Sequence, residues 1–193
     1  MISPMSKRVD VPAFLFTTVS VLYPLIAVTL LRVFGAGAAF VLVLVLLAGR
    51  LLVPVLRKVP LALTVALIPA LAAMVLVGLF DVALSVRLYP VFMNAVLLVT
   101  FALSLIHPPT TAERFARALE PDLPEEGVRY TRVVTQVWVG YFAINGAIAL
   151  WTVLQPGWNL WLIYNGMVSY IAAGLLFAGE YLVRMRTKRR AAR

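Results

Sequence analysis

Apolar residues in this chain come in long runs, not in alternation. Charged residues divide the sequence into stretches at 13–31, 33–53, 59–80, 88–106, 133–154 and 158–179. Each is close to the roughly 20 residues that a helix rising about 1.5 Å per residue needs to cross a hydrocarbon core about 30 Å thick. Within the runs the apolar character extends around the whole helix, as expected where the solvent is lipid. The pattern predicts an all-α polytopic transmembrane bundle of about six spans, forming one integral membrane domain over 1–193.

One polar segment is long enough to have structure of its own, the loop 107–132. His107-Pro108-Pro109 ends the fourth span, because proline cannot donate and disfavours a helical residue before it. Thr110 and Glu113 then have the spacing of a capping box. Glu113 and Arg117 sit one turn apart and can pair, as do Phe115 and Leu119, which give a small apolar face. This predicts a short interfacial helix ending at Glu120-Pro121. Pro121-Asp122-Leu123-Pro124 and Glu125-Glu126-Gly127 read as a rigid acidic turn before Arg129, Arg132 and the fifth span. At the N-terminus, Lys7, Arg8 and the small residues Ala36-Gly37-Ala38 have some features of a cleaved signal peptide. The apolar stretch between them is too long for one and contains Tyr23-Pro24, so a retained first helix is expected.

Charge sets the direction. The chain has 193 residues, 63% of them apolar and 13% charged, and a net charge of +9. Fifteen Lys and Arg fall on one side of the six-span arrangement: in the N-terminal segment, the second–third loop, the fourth–fifth loop and the basic tail 184–193. Only Arg32 and Arg87 fall on the other. The positive-inside rule then puts both termini and the loop 107–132 in the cytoplasm. The positive charge flanks apolar runs and forms no stripe, which argues against a nucleic-acid partner and for membrane lipids. There is no cysteine, which excludes disulfides, thiolate metal sites and thiol nucleophiles.

From Leu88 onward the residues are distinctive. Tyr89-Pro90-Val91 with Asn94 is followed by Ser104-Leu105, Pro108-Pro109, Glu113-Arg114-x-Ala116-Arg117 and Glu120-Pro121-Asp122-Leu123-Pro124. Then come Val128-Arg129-Tyr130-Thr131-Arg132, Thr135-Gln136-x-Trp138, Asn145-Gly146, Tyr164-Asn165-Gly166 and Gly179-Glu180-Tyr181-Leu182-Val183-Arg184. This string resembles a family of bacterial inner-membrane proteins often encoded beside gene sets for aryl-polyene or xanthomonadin-type pigments. A fainter similarity links it to the intracellular septation protein family. The first resemblance covers about half the chain. It implies an inner-membrane location and an accessory role in envelope lipid or pigment synthesis, with no catalytic residues attached. Some members carry the label ketosynthase, which this sequence contradicts: condensation of that kind needs a cysteine nucleophile.

The candidate chemistry is sparse. His107, the single histidine, with Glu113 nearby, is the only catalytic option as general acid or base. Its plainer reading is an interfacial residue beside a helix stop. Arg114, Arg117, Arg129 and Arg132 are candidates for holding a phosphate or carboxylate head group; otherwise they signal topology and pair with neighbouring acids. Asn94, Gln136, Asn145 and Asn165 lie in spans, where each amide must find a partner, so they are expected as buried polar contacts between helices. Glu180 and Arg184 are expected as an ion pair. Trp151, Trp158 and Trp161 bracket the Gln155-Pro156-Gly157 turn as an interfacial aromatic belt. One histidine and scattered carboxylates make no metal-ligand set, and no cofactor is expected. Three functions fit: a non-catalytic accessory that organises cytoplasmic biosynthetic enzymes, a transporter of a lipid-linked product, and a small enzyme acting on an acyl lipid. The first is preferred.

Overall fold

The computed structural model describes residues 61–191 and scattered positions between 26 and 45. The expected spans 13–31 and 33–53, and retention of the first helix, lie outside the continuously described residues. Among the described residues the chain is all helical, with no strand.

The continuously described stretch opens with two helices, α1 (Leu61–Phe80) and α2 (Val82–Ile106), separated by one residue. Asp81 has φ −147 and ψ 100 and caps α2 by accepting from the Leu84 N–H at 2.9 Å. Its own N–H still donates to the Val77 carbonyl at 2.8 Å, so it closes one helix and opens the next. The fourth expected span therefore begins at Val82 and not at residue 88, and Arg87 is helical. Here a charged pair that reads as a loop is a cap and an intrahelical cation. The two helices pack antiparallel. Leu67, Ala70 and Met74 meet Val86, Tyr89, Met93 and Val96, with Val153 and Trp161 closing one end of the core. The Ser85 hydroxyl donates to the Met74 carbonyl at 2.8 Å inside this contact. Gly78 lies against the ring of Phe40, so close that a methyl group there would collide with it.

A short helix, α3 (Thr111–Leu119), precedes α4 (Glu125–Leu154). The fifth span, expected from 133, thus begins at Glu125. The expected loop 107–132 shrinks accordingly, and Arg129 and Arg132 are helical. Glu125, Glu126 and Gly127, read as part of an acidic turn, form the first turn of α4, where the two carboxylates favour the positive end of the helix dipole. A helix of 30 residues is about 45 Å long. It outruns a hydrocarbon core of about 30 Å, and only the apolar part was legible as a span.

After the Gln155–Trp158 turn, where Gly157 adopts φ 76, the chain returns as α5 (Asn159–Ile163), a π-helical turn (Tyr164–Val168) and α6 (Ser169–Ala191). Helix continues into the expected tail 184–193. The bundle has an end that carries α3 and the arginines, here the basic end, and an end that carries the Gln155–Trp158 turn, the aromatic end. Among the described residues three helices, Val82–Ile106, Glu125–Leu154 and Asn159–Met185, are long and apolar enough to cross a membrane, and Ala66–Phe80 is a shorter apolar helix.

Candidate functional site

Apart from Val153, which belongs to the core with α1 and α2, the buried positions of α4 are Thr131, Thr135, Trp138, Phe142, Asn145, Ala149 and Thr152. They recur at steps of four and three, the heptad spacing that keeps one seam facing a partner helix. Val86, Tyr89, Met93, Val96 and Thr100 do the same on α2. The two seams run antiparallel, and half the α4 seam is polar. In water, burying the apolar members would drive association. In lipid that drive is absent, so close packing and interhelical hydrogen bonds must hold the helices.

Those bonds are present at mid-seam. The Asn145 amide donates to the Asn94 side-chain oxygen at 2.9 Å, and the Tyr164 hydroxyl donates to the Asn145 side-chain oxygen at 2.8 Å. Asn94 donates to the Pro90 carbonyl at 2.8 Å. Three helices are joined by one chain of donors. Gly146 lets α4 approach, since a methyl group there would lie 3.1 Å from Asn94 Cβ. Toward the aromatic end, Asn165 donates to the Thr152 hydroxyl and to the Trp161 carbonyl, each at 3.0 Å. Two interruptions of regular helix occur at this level. Pro90 removes one rung from the α2 ladder, and the π turn places the Ser169 N–H on the Tyr164 carbonyl. The Ser169 carbonyl is in turn bonded by the Tyr141 hydroxyl at 2.8 Å.

At the basic end the seam finishes in hydroxyls that hold α3. Its first N–H groups have no partner within the helix. Ser104 Oγ accepts from the Thr111 N–H at 3.0 Å, Thr135 Oγ1 from the Ala112 N–H at 3.4 Å, and Thr110 Oγ1 from the Glu113 N–H at 3.3 Å. The Thr111 hydroxyl also donates to Ser104 at 3.0 Å. Glu113 is 6% exposed and is paired with Arg117 at 2.8 Å. The outer face of α3 presents Arg114 and Phe115, the latter 69% exposed.

The expected site residues separate into groups. Asn94, Asn145 and Asn165 are buried contacts between helices. Gln136 is exposed and takes no part in the seam: it lies one residue past Thr135, about 100° around the helix from it. His107 is exposed at the end of α2, its N–H on the Leu103 carbonyl at 2.9 Å, and no hydrogen bond or ion pair joins it to buried Glu113. The four arginines do not converge. Arg114 donates to the Pro109 carbonyl at 3.0 Å, Arg117 turns to Glu113, Arg129 lies 3.9 Å from Glu125, and Arg132 is exposed. The expected pair of Glu180 with Arg184 is not formed. Arg184 reaches Glu120 across the bundle at 3.9 Å, and the Glu180 carbonyl accepts from the Tyr130 hydroxyl at 3.1 Å. Tyr130 of the extended α4 and Glu120 at the end of α3 reach α6 in place of the partner a turn away. Trp161, expected in an interfacial belt, is 0% exposed, and its indole N–H donates to the Arg87 carbonyl at 2.9 Å.

Residues that the hydropathy pattern does not single out prove central. The hydroxyls of Ser104, Thr110, Thr111, Thr131, Thr135 and Thr152 are buried. The heptad spacing of Thr131, Thr135, Trp138, Phe142 and Asn145 was the available signal. Arg87, read only as a loop charge, donates through Nη2 to the carbonyls of Thr152 at 3.0 Å and Gln155 at 2.7 Å. It thereby ties α2 to the last turn of α4, whose carbonyls carry the negative end of that helix. Among the described residues no three His, Cys, Asp or Glu side chains group as metal ligands. No protein-family model matches the chain, and neither a curated protein nor a solved structure matches it.

Proposed function

We propose that this chain is a bacterial inner-membrane protein of about six spans with both termini cytoplasmic. It acts as a non-catalytic accessory that organises enzymes of envelope lipid or aryl-polyene-type pigment synthesis. The observation that carries this reading is the mounting of α3. Three side-chain hydroxyls from α2, α4 and its own N-cap fix the helix start, while Arg114 and Phe115 face outward. A rigid, outward-facing helix suits a docking surface, because little ordering remains to oppose binding. The arrangement of His107 and Glu113 gives no support to an enzyme: one is exposed, the other is buried and already paired. The likeness over 88–184 to inner-membrane proteins encoded with pigment gene sets supplies the pathway context.

A second reading has one specific observation behind it. Pro90 and the π turn interrupt two spanning helices at the same level, beside the Asn94–Asn145–Tyr164 chain. Interrupted helices near the midplane are a feature of transporters. Against that, the amides there are bonded to one another.

The test is an Arg114→Glu/Phe115→Ser double variant on the exposed face of α3, followed by lipid extraction from separated inner and outer membranes. The accessory reading expects the product to be lost while the protein stays folded and inserted, and His107→Ala to make normal product. Normal product from the α3 variant contradicts the reading. Product made but retained in the inner membrane after Asn145→Leu establishes transport in its place.

A further inference from the structure

Arg87 stands apart from every other cation described here. It is half-buried inside an apolar helix at the aromatic end, away from the arginines of the basic end. No carboxylate lies within 4.0 Å of it among the described residues; the ion pairs join Arg117 to Glu113, Arg129 to Glu125 and Arg184 to Glu120. Only Nη2 is bonded, to two backbone carbonyls. Nε is buried without a bonding partner, which is costly for a charged donor. Its position is nonetheless fixed. The Trp158 ring lies 5.6 Å from the guanidinium carbon, and Trp161 holds the Arg87 carbonyl. Capping the end of α4 accounts for Nη2. It does not account for Nη1, nor for the full positive charge.

On this basis we infer that Arg87, with Trp158 beside it, binds the phosphate of a net-anionic lipid head group, one with no choline cation to offset it, at the aromatic end of the bundle. Arginine beside an indole face suits such a ligand: the fork donates to oxyanion oxygens, and the ring holds the cation at the level where head groups lie. The inference rests on the proposal that these helices cross a membrane.

The test uses the purified full-length protein with Trp138→Phe and Trp151→Phe, so that emission comes from Trp158 and Trp161. It is reconstituted in phosphatidylcholine vesicles that contain a minor fraction of brominated phosphatidylglycerol or, in parallel, brominated phosphatidylcholine. The expected result is a preference of about tenfold for the anionic quencher, lost in Arg87→Gln and retained in part in Arg87→Lys. Inorganic phosphate in the medium distinguishes the source: if it leaves the preference intact, the site takes a lipid, and if it abolishes the preference, the site takes free phosphate and the lipid assignment is overturned. Equal quenching by both lipids in the parent protein overturns the inference whatever the variants do, and so does an unchanged preference in Arg87→Gln. Absence of quenching by either lipid contradicts membrane residence itself, whereas equal quenching contradicts only this site.

Discussion

Asn145 is the residue on which the seam converges, accepting from Tyr164 and donating to Asn94. Asn145→Leu leaves both partners without their bonds in an apolar setting. It is expected to lower stability by about 1–2 kcal/mol, within the range for interhelical hydrogen bonds in membranes. Unfolding titrations in detergent measure this, and a cycle with Asn94→Leu should show coupling between the two sites. The Glu113–Arg117 pair behaves asymmetrically. Arg117→Met strands a buried carboxylate and is expected to cost about 1–3 kcal/mol. Glu113→Gln keeps a neutral acceptor and should cost less. Equal losses in the two variants, read as midpoints of the same titration, would contradict the burial described for Glu113. At this scale the sequence told a good deal: Asn94, Asn145 and Asn165 were recognisable because an amide in a span must find a partner. It could not tell which amide faces which, and Gln136 shows why. A shift of one position from Thr135 carries a side chain from the seam to the outer surface.

The elements were legible where an apolar run marks them and illegible where helices pass beyond that run. Helices α2, α4 and α6 all extend past their apolar runs, with ends fixed by caps and packing: Asp81 at the start of α2, Pro124 at the start of α4, and the contacts of α6 with α4 and Glu120. Of the capping box that announced α3, the Thr110 half is formed, while the Glu113 carboxylate turns to Arg117; Ser104 and Thr135 add the other two acceptors, which no local pattern connects to it. Thr110→Ala removes one of the three hydroxyl acceptors and is expected to destabilise α3 by about 1 kcal/mol. Faster amide exchange over 111–119, with the remainder of the protein unchanged, would register this. Exchange unchanged over those residues would mean that the cap is dispensable. At the α1 contact, Gly78→Val places branched methyl groups against the ring of Phe40. It is expected to cost about 1–3 kcal/mol through overpacking, measured as the shift in unfolding midpoint.

At the scale of the molecule, polarity is arranged by end. Arginines and the hydroxyl-mounted α3 occupy the basic end, amides hold the middle, and Arg87 with Trp158 and Trp161 occupies the aromatic end. The proposed function depends on this order: α3 must face the cytoplasm to meet soluble enzymes, and Arg87 must lie at the opposite head-group level. Since the sequence has no cysteine, single cysteines report sidedness without background. The most direct measurement places one at Gln155 in the turn or at Ala118 on α3, and treats intact cells with a membrane-impermeant maleimide. The account predicts labelling of Gln155→Cys in intact cells, and of Ala118→Cys only after the inner membrane is opened. Labelling of Ala118→Cys in intact cells, with Gln155→Cys protected, would invert the bundle and contradict the account.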